Sequence, residues 1–200
     1  MEKQTIIYIS REFGSGGHDI AEQIAKDLGF PMYDRNLLKE IAQDMDMDVD
    51  ELNKYDEKPR NYILTRRIGK YSNSMEDILA EKQFDFIQKK AESGESFVIV
   101  GRCAETILQG MDGLISIFIT GEKSYKLGRI MKEYELNEMD AQAKMVKIDR
   151  HRRQYHNRYS DHKWGDSRYY DMCINGSSLG VQGTVEVLEN YICARIKANI

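Results

Sequence analysis

The chain has 200 residues, of which 41% are hydrophobic and 31% charged, and this composition is typical of a soluble globular protein. Its length is enough for one sizeable core, so we expect a single domain over residues 1–200. No run approaches the roughly 18 to 20 apolar residues of a membrane span. The first four residues, MEKQ, lead into a strand pattern rather than the apolar region of a signal peptide. We therefore expect a cytoplasmic protein that does not bind membranes.

The net charge of −4 is unevenly distributed along the chain. Residues 123–169 hold twelve Lys and Arg against seven Asp and Glu, so this segment carries +5 and the remainder carries −9. A local basic segment on an acidic protein favours a small anionic ligand over a nucleic acid. The alternative is a solvated helix face, which accounts for most runs of charge.

The three cysteines, Cys103, Cys173 and Cys193, are widely spaced and lie in apolar surroundings. This pattern predicts buried, reduced thiols rather than disulfides. The chain has no Cys-x-x-Cys or His-x-x-x-His spacing, so the sequence gives no support for a structural zinc site.

The N-terminal elements predict a phosphate site. Residues 5–9 are β-branched and aromatic, as in a strand, and Gly14, Gly16 and Gly17 follow before an amphipathic helix. A strand, a glycine-rich loop and a helix in this order direct several backbone N–H groups and the positive end of the helix dipole to one point. The alternative is that the glycines only mark a turn.

The loop departs from the known glycine motifs. The P-loop pattern G-x-x-x-x-G-K-[ST] fits with Gly16 as its last glycine, but Arg11 stands at the first glycine and Gly17 at the lysine. The dinucleotide pattern G-x-G-x-x-G fails because Asp19 stands at its third glycine. The sequence therefore contains a phosphate loop without its usual lysine.

Two further short strands are expected to bring ligand-binding side chains to the same edge of the sheet. Residues 31–33 form a short extended piece, after which Asp34 is predicted to cap a helix over residues 35–45. Residues 97–100 are a continuous apolar run, typical of a strand buried on both faces, and Arg102 follows it closely. An arginine beyond the carboxyl end of a parallel strand is well placed to meet a ligand, and the alternative is a surface salt bridge.

Three guanidinium groups within four residues, Arg150, Arg152 and Arg153, repel one another unless an anion is near, although an exposed helix face is the simpler interpretation.

The remaining elements alternate in type along the chain. Strands near 5–9, 31–33, 97–100, 114–119 and 171–174 alternate with helices near 75–93, 122–135, 138–159 and 181–196. This order predicts a three-layer α/β/α fold around a parallel five-stranded sheet.

Taken as a set, these motifs resemble the cytidylate kinase-like family of P-loop proteins, which are relatives of the nucleoside monophosphate kinases. The resemblance covers essentially the full length of the chain and implies a P-loop NTPase fold. The residues that carry it are, in order, Ile9-Ser10-Arg11-Glu12-Phe13-Gly14-Ser15-Gly16-Gly17, Tyr33-Asp34, Gly101-Arg102, Asp149-x-x-Arg152, Trp164-Gly165-Asp166, Tyr170-Asp171 and Ile174-Asn175.

For the donor side, the resemblance implies ATP and Mg²⁺ as cofactors. Gly17 replaces the phosphate-binding lysine, and Asp19 replaces the threonine associated with the metal, where a carboxylate can also hold Mg²⁺. We hypothesise that Arg11 or His18, together with the arginines of the lid, partly replaces the lysine. The positions that match the loop around the ATP phosphates are Gly14, Ser15, Gly16, Gly17, His18 and Asp19.

For the acceptor side, the resemblance implies that Asp34 and Arg102 contact a nucleoside monophosphate, with residues 35–75 as an acceptor-binding subregion. It also implies that residues 140–168 form an arginine-rich lid, in which Arg152 is the matching arginine. Arg150 and Arg153 flank it, and with Arg11 these three form the predicted catalytic set.

The sequence thus predicts a kinase that transfers the γ-phosphoryl group of ATP to a nucleoside monophosphate, CMP or dCMP by resemblance. The missing lysine favours an alternative, a P-loop-derived sensor of a nucleotide or another phosphorylated ligand. Cys103 and Asn175 depart from the pattern of the cytidylate kinases and favour a third reading, a kinase for another small acceptor.

Overall fold

A computed structural model describes residues 3–34, 36–56, 67–68, 71–72 and 74–198 of the chain. The strands are β1 (Ile6–Arg11), β2 (Met32–Tyr33), β3 (Arg67–Ile68), β4 (Tyr71–Ser72), β5 (Phe97–Val100), β6 (Leu114–Thr120) and β7 (Met172–Asn175). The α-helices are α1 (Gly17–Leu28), α2 (Leu37–Met45), α3 (Val49–Leu52), α4 (Met75–Glu92), α5 (Ala104–Ile107), α6 (Lys123–Tyr134), α7 (Glu138–Tyr159) and α8 (Gly180–Ala198).

The main sheet has five strands in the order β2-β5-β1-β6-β7, and every pairing in it is parallel. This confirms the predicted fold class, and the predicted strands match the observed ones to within two residues at each end. Strands β3 and β4 form a separate antiparallel pair. None of the helices in the described ranges is both long and apolar enough to cross a membrane.

Strand β1 lies at the centre of the sheet because its side chains are apolar on both faces. Ile9 pairs with Val100 of β5 on one side and with Ile117 of β6 on the other. Ile7 and Ile9 pack against α1 and α8, whereas Ile6 and Tyr8 pack on the opposite face with residues of α4 and α5. The alternation of the side chains therefore divides the core into two layers on either side of the sheet.

The predicted start of the second helix was wrong. Helix α2 begins at Leu37, with Asn36 at its N-cap position. Asp34 instead forms reciprocal bonds with Asn36: its Oδ1 accepts from the Asn36 N–H at 2.9 Å, and its own N–H donates to Asn36 Oδ1 at 3.0 Å. These local bonds keep the backbone in a turn before the helix begins.

Residues 57–66 of the predicted acceptor-binding subregion lie outside the described residues.

The expectation that all three cysteines are buried was also wrong. Cys103 is buried, but Cys173 and Cys193 are exposed. Cys173 belongs to β7, the edge strand of the sheet, and Cys193 to the last helix, α8. An apolar sequence context therefore did not distinguish an edge strand or the outer face of a helix from the core.

Two glycines before β6 provide a test of how closely the backbone before β1 packs against this part of the chain. Gly113 and Gly110 have nearly the same positive φ, +84° and +82°, but a Cβ on Gly113 would collide with the backbone oxygen of Gln4, whereas a Cβ on Gly110 would meet nothing within 4 Å. We expect Gly110→Ala to lower the free energy of unfolding by about 1 kcal/mol, and Gly113→Ala to lower it by about 2 kcal/mol more. Urea unfolding measures both changes, and equal losses in the two variants would contradict this packing.

Candidate active site

A cavity of about 310 Å³ opens where the carboxyl ends of β1 and β5 meet. The chain leaves β1 towards β2 on one side of the sheet and leaves β5 towards β6 on the other, and open parallel sheets bind ligands at such a point. We call it the central cavity. Its lining consists of Arg11, Glu12, Phe13, Gly14, Gly16, Gly17, His18, Asp19, Asp34, Val100, Arg102, Arg129, Glu133, Tyr134 and Arg152.

The glycine loop forms one wall of the central cavity and ends at the N-terminus of α1. Gly14 and Gly16 have φ values of +80° and +84°, which side-chain-bearing residues rarely adopt. Gly16 is the N-cap of α1, so the helix begins without a side-chain cap beside a cavity. Such an N-terminus favours an anion. Ser15 is buried, and its hydroxyl donates to the Glu12 carbonyl within the loop at 2.8 Å.

Arg11 explains why residue 17 is a glycine. A Cβ on Gly17 would lie 2.5 Å from Cβ of Arg11 and 2.9 Å from its Cγ, which is closer than real atoms approach. The side chain of Arg11 therefore occupies the space beside the loop that a lysine at position 17 would need. Since Arg11 also lines the central cavity, a cation remains next to the glycine loop although the lysine is absent.

The structure brings His18, in the first turn of α1, together with Asp34, which follows β2. His18 Nδ1 lies 3.5 Å from Asp34 Oδ2, and the two side chains are 52% and 21% exposed. The sequence predicted these residues for the phosphate and acceptor sites respectively. Their proximity places the two predicted sites at adjoining walls of one cavity.

Arg102 lines the central cavity just after the end of β5, and its backbone conformation is strained. Its φ is +64° and that of the next residue, Cys103, is +52°, so two consecutive residues with side chains adopt the left-handed conformation. Such strain persists where the surroundings enforce it and often occurs at functional sites. The Arg102 side chain is 1% exposed, and its Nη2 lies 2.8 Å from Asp56 Oδ2.

Helix α7 is attached to the glycine loop through two side chains. Arg152 Nη1 donates to the Arg11 carbonyl at 3.1 Å, and its guanidinium lies over the Phe13 ring at 5.6 Å. Asp149 Oδ1 accepts from the Phe13 N–H at 2.7 Å. Burial raises the pKa of Asp149, although the Phe13 N–H and the charge of Arg152 act in the opposite direction.

The three arginines predicted for the lid point to different places. Arg152 lines the central cavity. Arg150 lines a separate, shallow groove along the outer face of α7 with Met139 and Val146. Arg153 is exposed and lies 5.7 Å from the Trp164 ring. The catalytic role of each remains a prediction, and Arg152 is the one that the structure brings to the loop.

Sequence reasoning missed Arg129, which lies beside the glycine loop. Its Nη2 is 2.6 Å from Asp19 Oδ2, and a Cβ on Gly16 would meet its guanidinium carbon at 3.7 Å. Although burial acts in the opposite direction, the Asp19 carboxylate raises the pKa of Arg129. The only sequence signal was its place in the basic segment 123–169.

Sequence reasoning also missed the role of Glu12 in holding the loop. Its Oε2 accepts from the Thr120 hydroxyl at 2.6 Å, from Lys126 Nζ at 2.8 Å and from the Gly121 N–H at 3.2 Å. Burial alone would raise the pKa of Glu12, but these donors outweigh it and lower the pKa. An ionised Glu12 therefore joins the glycine loop to the start of α6.

The residues of the central cavity fit ATP with Mg²⁺. Kinases commonly hold Mg²⁺ by one or two carboxylates together with the phosphates of the nucleotide, rather than by a complete cage of side chains. No group of three metal-ligating side chains occurs in the described part of the chain. Asp19, at the first turn of α1 and next to the loop, is the carboxylate that the sequence predicts for the ion, and this role remains a prediction.

A match to a family model shows to which protein family the chain belongs. The model of the cytidylate kinase-like family matches residues 6–178, which include the sheet and the central cavity. The chain belongs to the cytidylate kinase-like family. Membership supports a kinase for nucleotides or other small molecules, and kinases of this kind generally use ATP and Mg²⁺.

Solved structures agree with this fold. An uncharacterized protein from Eubacterium ventriosum ATCC 27560 is 40% identical, with a TM-score of 0.75 over 94% of this chain and 98% of that one. The shikimate kinase of Bacteroides thetaiotaomicron is 12% identical, with a TM-score of 0.55 and coverages of 94% and 98%. That of Acinetobacter baumannii, solved with shikimate, is 12% identical, with a TM-score of 0.52 and coverages of 96% and 95%. No curated protein matches the chain.

The bonds of Glu12 predict a pH dependence of stability. Because folding lowers the pKa of Glu12, the unfolded chain binds the proton more readily, so this stabilisation is present above about pH 4.5 and is lost as the pH falls. We expect Glu12→Gln to be less stable than the parent at neutral pH and to lose less stability on acidification. Urea unfolding over a pH series, with the exposed Glu81→Gln as control, measures the difference. Parallel curves for Glu12→Gln and the parent would contradict the ion pair.

Proposed function

We propose that this protein is an ATP-dependent nucleotide kinase that transfers the γ-phosphoryl group to a nucleoside monophosphate, CMP or dCMP. The observation that carries the proposal is the convergence of four arginines on the cavity beside the glycine loop. These arginines come from β1, the end of β5, α6 and α7, and they are Arg11, Arg102, Arg129 and Arg152. Phosphoryl transfer depends on alignment and on stabilisation of charge, which such a set of guanidinium groups supplies.

At the donor end, the loop N–H groups and Arg11 would hold the phosphates of ATP, with Mg²⁺ at Asp19. Arg152 would stabilise charge on the transferring group, because it is anchored to the loop through the Arg11 carbonyl. Arg129 is also within reach of the loop, where it pairs with Asp19. A guanidinium offers forked donors that suit phosphate oxygens, so these arginines can substitute for the missing lysine.

At the acceptor end, Arg102 and Asp34 would contact the nucleoside monophosphate. Both line the central cavity, and the 3.5 Å distance between His18 Nδ1 and Asp34 Oδ2 supports an acceptor end beside the glycine loop. The assignment of CMP or dCMP rests on membership of the cytidylate kinase-like family. Cys103, which is buried, favours a second candidate, a kinase for another small acceptor, because it replaces a polar residue of the cytidylate kinase motif.

A coupled assay of ADP release over a panel of acceptors tests the proposal. The panel contains CMP, dCMP, other nucleoside monophosphates and small hydroxyl compounds. We expect turnover with CMP or dCMP to exceed that with every other acceptor. A preference for a non-nucleotide would exclude the nucleotide kinase, and ATP binding without turnover of any acceptor would support a sensor instead.

Arg11 should be necessary for ATP binding. We expect Arg11→Ala to weaken the affinity for ATP with Mg²⁺ by about tenfold, since one charge-assisted contact to phosphate is lost, and Arg11→Lys to restore part of it. Equilibrium binding of a fluorescent ATP analogue measures both. Arg168→Ala is the control, because Arg168 is 76% exposed and pairs with Asp166. Unchanged binding by Arg11→Ala would remove Arg11 from the donor site.

A further inference from the structure

A buried ion pair lies directly behind the acceptor end of the central cavity. Arg102 Nη2 and Asp56 Oδ2 are 2.8 Å apart, and the side chains are 1% and 7% exposed. Asp56 follows α3, in the segment that the sequence assigns to acceptor binding. The carboxylate therefore fixes, out of reach of solvent, a guanidinium that lines the cavity.

The other carboxylate oxygen of Asp56 accepts a hydrogen bond from a side chain on α4. Asp56 Oδ1 accepts from Gln83 Nε2 at 2.9 Å, and Gln83 Oε1 accepts from the Tyr155 hydroxyl at 3.2 Å. Gln83 lies on α4 and Tyr155 on α7, and they are 1% and 5% exposed. Four buried side chains from four segments thus form one chain of polar contacts from the cavity to α7.

Helix α7 carries this chain of contacts back to the donor loop. Tyr155 is three residues from Arg152, about one turn along the same helix. Arg152 donates to the Arg11 carbonyl and lines the central cavity. The orientation of Arg102 at the acceptor end is therefore connected, through buried and directional bonds, to the helix that holds the glycine loop.

Stability alone does not account for such an arrangement. A buried ion pair often contributes little net stability, because the cost of removing both charges from water offsets their attraction. What the pair does provide is a fixed direction, since the planar guanidinium forms bonds only within its fork. The strained backbone at Arg102 and Cys103 likewise fixes the direction in which the Arg102 side chain leaves the main chain.

We propose that Asp56 is a positioning residue that holds Arg102 toward the acceptor, and that Gln83 and Tyr155 tie this orientation to α7. The proposal rests on the proposed function, in which Arg102 contacts the phosphate of the acceptor. It adds that the orientation of Arg102 at the acceptor site is fixed by Asp56, a carboxylate that does not itself line the central cavity. Asp56 acts through Arg102 and does not touch the reacting atoms.

Kinetics of three variants test the positioning role. We expect Asp56→Asn to raise the KM for CMP by about tenfold, because Arg102 loses its charged partner, while the KM for ATP stays within about twofold of the parent. Tyr155→Phe, which removes one hydroxyl and keeps the ring, should raise the KM for CMP by about threefold. Asp85→Asn removes an exposed carboxylate from α4, two residues from Gln83, and is the control. A loss of kcat and thermal stability with unchanged KM for CMP would reduce Asp56 to a structural role.

A coupling measurement tests the connection to α7. If both residues act through Gln83, the double variant Asp56→Asn/Tyr155→Phe should have the same KM for CMP as Asp56→Asn alone. Fold-changes that multiply in the double variant would contradict a shared route. If Asp56→Asn does not fold, the KM for CMP of Tyr155→Phe alone still tests the connection.

A readout that needs no substrate separates this proposal from the proposed function. NMR of the Arg102 side-chain Nε–H, assigned with Arg102→Lys, reports how ordered the guanidinium is. We expect an ordered signal in the parent that broadens in Asp56→Asn and in Tyr155→Phe but not in Asp85→Asn. If CMP is not a substrate and these changes occur, the positioning role stands and the kinase assignment fails. If the signal is the same in all variants, the positioning role is overturned whatever the activity.

Discussion

The close packing of Arg11 on Gly17 is the constraint on which the rest of the site depends. Arg11 ends the central strand, and its Cβ and Cγ fill the space that any side chain at position 17 would enter. The loop therefore cannot carry the P-loop lysine, yet it keeps a cation at the same edge of the sheet. This exchange accounts for a glycine loop that departs from the usual P-loop motif and still has a cation beside it, as the proposed phosphate site requires.

Two carboxylates attach this loop to the helices that supply the other cations. Glu12 connects it to α6 through Lys126, and Asp149 connects it to α7 through the Phe13 N–H. Arg129 and Arg152 extend from these same helices into the central cavity. The glycine loop, α6 and α7 are thus held as one unit, which fixes the positions of the cations around the cavity. Such preorganisation is the main contribution that a protein makes to phosphoryl transfer.

The fold was predictable because the buried strands are continuous apolar runs and the helices between them are amphipathic. The meeting of the glycine loop and Arg102 in one cavity was predictable because they follow strands whose carboxyl ends share one edge of the sheet. Glu12 was not, because its partner Lys126 is 114 residues away and only the folded chain brings the two together. The same limit applies to Arg129. The errors at Asp34 and at Cys173 had local causes, a competing turn in one case and an edge strand in the other.

The central claim is that one cavity holds a donor nucleotide at the glycine loop and an acceptor nucleotide beside it. A calorimetric titration with ATP and Mg²⁺, repeated in the presence of CMP, tests it most directly. The account predicts a dissociation constant for ATP of about micromolar size that becomes smaller when CMP is present, since the two ends adjoin in one cavity. Absence of heat from ATP binding in both titrations, with the protein folded, would contradict the claim.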